Sequence, residues 1–319
     1  MLSMCTRCRN FIITMGSYNL IILAYSLATA SLTLMGILVN HFENYLPSKA
    51  VQLIRYGKYG LTETSIHQKS QVPKSYYKHF YVYASLLTLT TISTLAYVFT
   101  FKVKIPSSVY DGLDLIGGSL RQATVSNSNA MLAMMLFTLQ CCRRFYETHF
   151  ISIFGKSGRL PTVHYIFGFI YYSATTLAII LESPKFVRNA RRDFDLTWMD
   201  LGYTDAFAVF LFLWAWVHQL KVARILANLR KDKKGNVVTE THKLPRGDWF
   251  EYVSSPHYLA EIIMYFALTV ILRGNTTWIF VFLLVLANQV EAALLTHWWY
   301  KDNFTDFPKN RKAIIPFVY

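Results

Sequence analysis

Long apolar runs alternate with short charged stretches along the whole chain. Runs near 12–39, 80–101, 126–142, 162–182, 204–220, 258–272 and 275–297 approach the length of about 20 mostly apolar residues that a helix needs to cross a bilayer. They predict an all-α integral membrane protein with seven transmembrane helices, organised as a single polytopic membrane domain over residues 1–319. The third run opens on Ser126, Asn127, Ser128 and Asn129, and the fifth and sixth are short, so these three must borrow flanking residues to complete a crossing. The first run is longer than a signal-peptide core and lacks a small-residue cleavage pattern, so it reads as a retained span.

Polar residues interrupt this pattern most conspicuously between Leu244 and Tyr319. His257, Glu261, Asn288, Gln289, Glu291 and His297 lie around and within runs otherwise apolar enough to cross a membrane. An ionisable group in hydrocarbon costs roughly 2.5–3.5 kcal/mol on insertion scales, so several in adjacent spans mark a functional site.

Composition agrees with the class: 53% of the 319 residues are hydrophobic and 16% aromatic, too apolar for an ordinary soluble domain of this length. The formal charge of +14 does not point to nucleic acid, because Lys and Arg cluster in loops beside apolar spans and form no separate basic domain. With the N-terminus in the lumen, 22 of the 32 Lys and Arg fall on the cytosolic side and 10 on the other. The positive-inside rule therefore predicts a lumenal N-terminus and a cytosolic C-terminal tail. Cys5 and Cys8 form a CxxC pair with no second pair at zinc-ligand spacing, and no metal site is expected. The sequons at Asn275 and Asn303 fall in a very short loop and on the predicted cytosolic side, where neither is expected to carry glycan.

The longest polar stretch runs from Lys221 to Pro245 and begins with a predicted cytosolic helix bearing Lys221, Arg224, Arg230 and Lys231, followed by a turn at Gly235-Asn236. Such cations serve either to bind phosphates through charge-assisted hydrogen bonds or simply to anchor the cytosolic side. No GxGxxG follows a strand, there is no Walker A loop, and strands do not alternate with helices, so a dinucleotide would need a non-Rossmann site.

Four segments carry a resemblance: LQCCRRFYETHFISIFG at 139–155, HQLKVARILANLRK at 218–231, LPRGDWFEYVSSPHYLAEIIMY at 244–265 and LLTHWWYKDNFTDFPKNRKAIIPF at 294–317. On these the chain resembles the steroid 5α-reductase family, and within it the branch that reduces polyprenols or polyprenals. The resemblance is strong over residues 139–319 and slight over 1–138. It implies a multi-pass enzyme of the endoplasmic reticulum membrane that uses NADPH from the cytosolic side to saturate a double bond conjugated to a carbonyl. It also implies a polyisoprenoid lipid substrate and a role in making dolichol, the lipid carrier of protein N-glycosylation. Polyprenal is the better hydride acceptor, because an allylic alcohol has no carbonyl to take up charge; polyprenol is the alternative.

The resemblance also assigns residues. His297 is implied as proton donor or nicotinamide orienter. Glu261 and His257 are implied as nicotinamide contacts, the latter standing where the family often has asparagine. Tyr300 lies near the cofactor, Arg230, with Lys231 beside it, near the nucleotide phosphates, and Arg144 at the end of an earlier span. Ala223 or a neighbour replaces the family's aspartate upstream of that arginine. A helix beginning at Pro256 would put His257 and Glu261 on one face. Tyr76, Tyr77, His79 and Tyr81 are either carbonyl donors or an interfacial aromatic belt. The competing classes are a steroid or enoyl-CoA reductase of the same family, a membrane methyltransferase, and a seven-helix receptor or transporter.

Overall fold

The computed structural model describes residues 17–47, 51, 71–156, 158–188, 190, 196–232, 234–239 and 241–318. Its helices are α1 (Leu20–His41), α2 (Tyr77–Thr100), α3 (Ser107–Gly117), α4 (Asn127–Tyr146), α5 (Thr162–Ile180), α6 (Tyr203–Asn228), α7 (Pro256–Ile271) and α8 (Thr276–Asn303). Each of the seven apolar runs coincides with one of these. Five helical stretches, Leu20–His41, Lys74–Thr100, Thr162–Ile180, Tyr203–Asn228 and Thr276–Asn303, are long and apolar enough to cross a membrane. α7 is apolar but short, and α4 ends in Arg143 and Arg144, so five of the seven expected crossings stand as clear spans among the described residues. Cys5 and Cys8 lie outside the described residues.

Two departures have clear causes. The fifth run does not stop at residue 220: α6 continues to Asn228, so Lys221 and Arg224 ride on the span itself and not on a separate cytosolic helix. α3 was not expected from the sequence, since its 11 residues carry Asp111, Gly112 and Asp114; Arg188 pairs with Asp111 at 2.6 Å and holds it in place.

The closest helix pairings are α6 with α7, α2 with α4, α1 with α8 and α7 with α8. Phe137 and Met134 of α4, Phe212 of α6, Met264 and Leu268 of α7 and Trp278 of α8 are fully buried between them. A short antiparallel ladder, β1 (Gln71–Pro73) with β2 (Arg159–Pro161), closes one face and ties the start of α2 to the start of α5.

The other face is held by buried carboxylates. Glu182, just beyond α5, accepts from the backbone of Thr276 and Thr277 at 3.0 and 2.8 Å and from the hydroxyls of Thr277 and Thr124 at 2.7 Å. It thereby satisfies first-turn N–H groups of α8 that have no partner within the helix. Asn275 caps the same helix, accepting from Trp278 N at 2.8 Å, and donates to the Ala178 carbonyl at 2.9 Å. At 1% exposure this sequon asparagine is buried. Asp205 at the start of α6 meets Arg273 at 2.5 Å and Asn129 at 2.8 Å, joining α4, α6 and the α7–α8 turn.

Candidate functional site

Opposite that face, the ends of α4 and α6 and the start of α7 enclose a polar cluster. Pro256 occupies the first turn of α7, where its missing N–H costs nothing. The helix therefore begins where the sequence predicted and carries His257 and Glu261 one turn apart. Glu261 Oε2 accepts from Gln219 Nε2 of α6 at 2.5 Å and from Gln140 Nε2 of α4 at 3.2 Å. Gln219 Nε2 also donates to the His257 carbonyl at 2.9 Å, and Gln140 Nε2 to Gln219 Oε1 at 3.0 Å.

Arg143 continues the chain. Its guanidinium donates to Gln140 Oε1 at 2.9 Å, to Gln219 Oε1, and to Glu147 Oε2 at 3.2 Å. Arg144 pairs with the other Glu147 oxygen, donates to Tyr81 Oη at 3.0 Å and lies over the Tyr81 ring at 4.9 Å. Two guanidinium groups thus face two carboxylates, the balance that makes burial of charge tolerable. A single π turn, Glu147–Ile151, follows directly; such turns recur at functional sites. Of the four aromatic residues weighed ahead of the second span, Tyr81 is drawn into this cluster, while His79 Nδ1 pairs with Tyr165 Oη at 3.0 Å.

His297 lies at the same face. Its Nδ1 is 2.8 Å from Ser254 Oγ, and its ring meets Phe307 edge-on at 5.3 Å. Ser254 stands two residues before Pro256, so His297 touches the strand of chain that leads into α7. No hydrogen bond joins His297 to Glu261 among the described residues; they are related through segment 254–257. Tyr300 is buried at 4% exposure, with its ring 5.9 Å from that of Phe304.

The expected phosphate cations are dispersed. Arg230 Nη1 donates to the Ile153 carbonyl at 2.6 Å, docking the end of α6 on the segment after the π turn. Lys231 bridges to Val237 across the turn at Gly235, whose φ of 87° suits glycine. Asp232 accepts from Asn236 N at 2.8 Å there, which holds its carboxyl below the usual range. Arg144 is committed to Glu147 and Tyr81, so the described contacts do not bring it to Arg230.

Arg311 lies in the C-terminal PKNRKAIIPF motif, where the sequence alone does not distinguish it from its basic neighbours. It is 2% exposed, its Nη1 donates to the Pro245 carbonyl at 3.1 Å, and its Nε and Nη2 have no partner. Burial pushes its pKa below the usual arginine value. The Ser255 hydroxyl, fully buried at the start of α7, is likewise without a partner. The tail reaches this place by pairing Lys312 with Val253: Ser254 N donates to the Lys312 carbonyl at 2.8 Å and Lys312 N to the Tyr252 carbonyl at 2.9 Å. Unpartnered buried donors are rare in native proteins and suit an anionic ligand bearing phosphates. Arg311 and Ser255 thus present buried donors that would fit an anionic group such as a phosphate.

The apolar helices thus carry a polar cluster and the unpartnered donors of Arg311 and Ser255 at one face. A family model described as 3-oxo-5-alpha-steroid 4-dehydrogenase matches residues 186–319. The chain is 36% identical over 307 residues to the polyprenal reductase of Drosophila melanogaster, covering 94% of this chain and 93% of that protein. It is 35% identical over 280 residues to the polyprenal reductase of Homo sapiens, covering 86% and 88% of the two chains. The chain belongs to the steroid 5α-reductase family, oxidoreductases that act on carbon–carbon double bonds.

Proposed function

We propose that the protein reduces the α-isoprene double bond of a polyprenal with NADPH, at the cytosolic side of the endoplasmic reticulum membrane, in the making of dolichol for protein N-glycosylation. The observation that carries this reading is similarity to polyprenal reductases over nearly the full length, which includes the segments that form the polar cluster. The family generally draws on NADPH, which when bound would supply the hydride.

Glu261, fixed by Gln140 and Gln219, is the acceptor for the carboxamide end of the cofactor, with His257 beside it. Arg311, with Arg230 and Lys231 nearer the periphery, faces phosphate. Arg144 keeps Glu147 and Tyr81 in place and acts on the cofactor through them. His297, held by Ser254, and the buried Tyr300 complete the wall, and His297 is the candidate proton donor at this face. The reading extends to seven crossings in one membrane domain, with the polar ends of α4 and the short α7 turned inward. The polyisoprenoid tail stays among apolar helices and membrane lipids, so only its head needs polar partners.

Purified protein incubated with NADPH and, separately, polyprenal, polyprenol and a 3-keto-4-ene steroid should yield a product two hydrogens heavier from polyprenal alone, by mass spectrometry. His297→Ala should lower that yield strongly. Reduction of the steroid in preference would move the substrate to the family model's own description, and thermal stabilisation by S-adenosylmethionine in place of NADPH would overturn the reductase reading.

A further inference from the structure

A pair of phenols lies deeper in the bundle than Glu261. Tyr265 follows Glu261 by four residues on α7, so the two share a helical face. It stands nine residues beyond Pro256, roughly 14 Å along the axis from the first turn. Tyr171 of α5 donates its hydroxyl hydrogen to the Tyr265 hydroxyl at 2.7 Å. The position of Tyr171 is itself fixed, because Tyr25 of α1 donates to its carbonyl at 3.0 Å.

Tyr265 is 3% exposed and cannot swing freely. Its ring stacks on Trp278 at 5.8 Å with an interplanar angle of 8°, and meets Phe137 edge-on at 6.3 Å. Each phenol has one hydrogen to give. That of Tyr171 goes to Tyr265, and no acceptor for the hydrogen of Tyr265 is found among the described residues. A buried donor left in this state is rare. One that already accepts a hydrogen bond is polarised to donate a stronger one.

We propose that Tyr265 is a catalytic residue that donates its hydrogen bond to the carbonyl oxygen of the substrate's conjugated aldehyde, with Tyr171 behind it as the positioning residue. The proposal rests on the polyprenal reading above. As the conjugated double bond is reduced, negative charge gathers on the carbonyl oxygen, and a fixed donor in a water-excluded place stabilises that charge far better than it would in water. A phenol suits the depth: it is neutral, so it adds no ion to the apolar interior, yet it presents an O–H where the hydrocarbon offers none. Its place on the Glu261 face sets the donor on the membrane side of the proposed nicotinamide contact, the side from which a lipid head would arrive. His297 cannot take this role from its observed position, since it is held by Ser254 at the outer end of α7.

The test uses the full-length wild type, Tyr265→Phe and Tyr171→Phe in detergent, with two readouts. The first is steady-state reduction of polyprenal with NADPH. The second is the infrared carbonyl stretch of polyprenal bound in the presence of NADP+, a complex that does not turn over. Tyr265→Phe should lower kcat by about a hundredfold or more, leave the KM for NADPH unchanged, and abolish the low-wavenumber shift of the bound carbonyl. Tyr171→Phe should give intermediate effects on both. A Tyr265→Phe protein with wild-type kcat and an unaltered carbonyl shift overturns the proposal while the polyprenal reading stands. A wild type that reduces no polyprenal overturns the reading and this inference with it. Should Tyr265→Phe fail to fold, Tyr171→Phe decides: a diminished carbonyl shift supports the proposal and an unchanged one overturns it.

Discussion

Arg311 carries its charge at 2% exposure with one of its three nitrogen groups bonded, to the Pro245 carbonyl. A buried donor without an acceptor costs about 1–3 kcal/mol, a cost that a bound anion would relieve. Arg311→Met keeps much of the shape and removes the donors. The expected outcome is a thermal unfolding midpoint in detergent no lower than wild type, together with loss of most of the stabilisation that NADPH confers. A variant that unfolds earlier yet gains the full NADPH increment would assign Arg311 to structure alone. Glu261 was legible in the sequence because a carboxylate in an apolar run is conspicuous. Its partners Gln140 and Gln219 were not, because an uncharged amide in an apolar span attracts less notice, although the same rule about polar groups in hydrocarbon applies to both. Arg311 was hidden for another reason: its burial depends on a tail folding back onto residues 245–254, which no local pattern announces.

Helix positions followed from the apolar runs, since only a helix satisfies its own backbone in lipid. What the runs did not reveal is how closely the helices approach. Where α1 meets α8, the Glu291 side chain reaches across to Gly36, and a Cβ there would lie 2.4 Å from Glu291 Oε2. Asn40, one turn on, donates to the same oxygen at 3.3 Å. Small residues at such crossings let backbones meet, and polar groups across them hold on. Gly36→Val should therefore push the Glu291 carboxylate away from Asn40 and destabilise the protein by about 0.5–1.5 kcal/mol through that lost bond, read as a lowered unfolding midpoint, whereas Gly112→Ala, with nothing within 4 Å of its added Cβ, should not. The three-residue strands β1 and β2 were invisible for a related reason, their pairing being one of distant short segments with no alternating pattern.

Across the whole molecule, Asn19 meets Thr277 at the start of α8 while Arg311 meets Pro245 beyond its far end, so residues 17–20 and 311–318 lie at opposite ends of that helix. Orientation in the membrane follows only if the cation-rich face is cytosolic. In sealed endoplasmic reticulum vesicles, with native cysteines replaced, Lys234→Cys should react with an impermeant maleimide at once. Met199→Cys, at a residue 90% exposed on the Glu182 face, should react only after detergent is added. The reverse pattern would invert the topology and place the polar cluster in the lumen.

The backbone pairing of residues 252–254 with Lys312 joins chain segments that flank both α7 and α8. During synthesis the earlier segment emerges long before its partner, and two further helices must be inserted into the bilayer before they can meet. The wall that holds His297 and Arg311 is thus completed only after α7 and α8 are both in place. A nascent chain could insert α1 to α7 and still lack this wall, which closes only when Lys312 reaches residues 252–254.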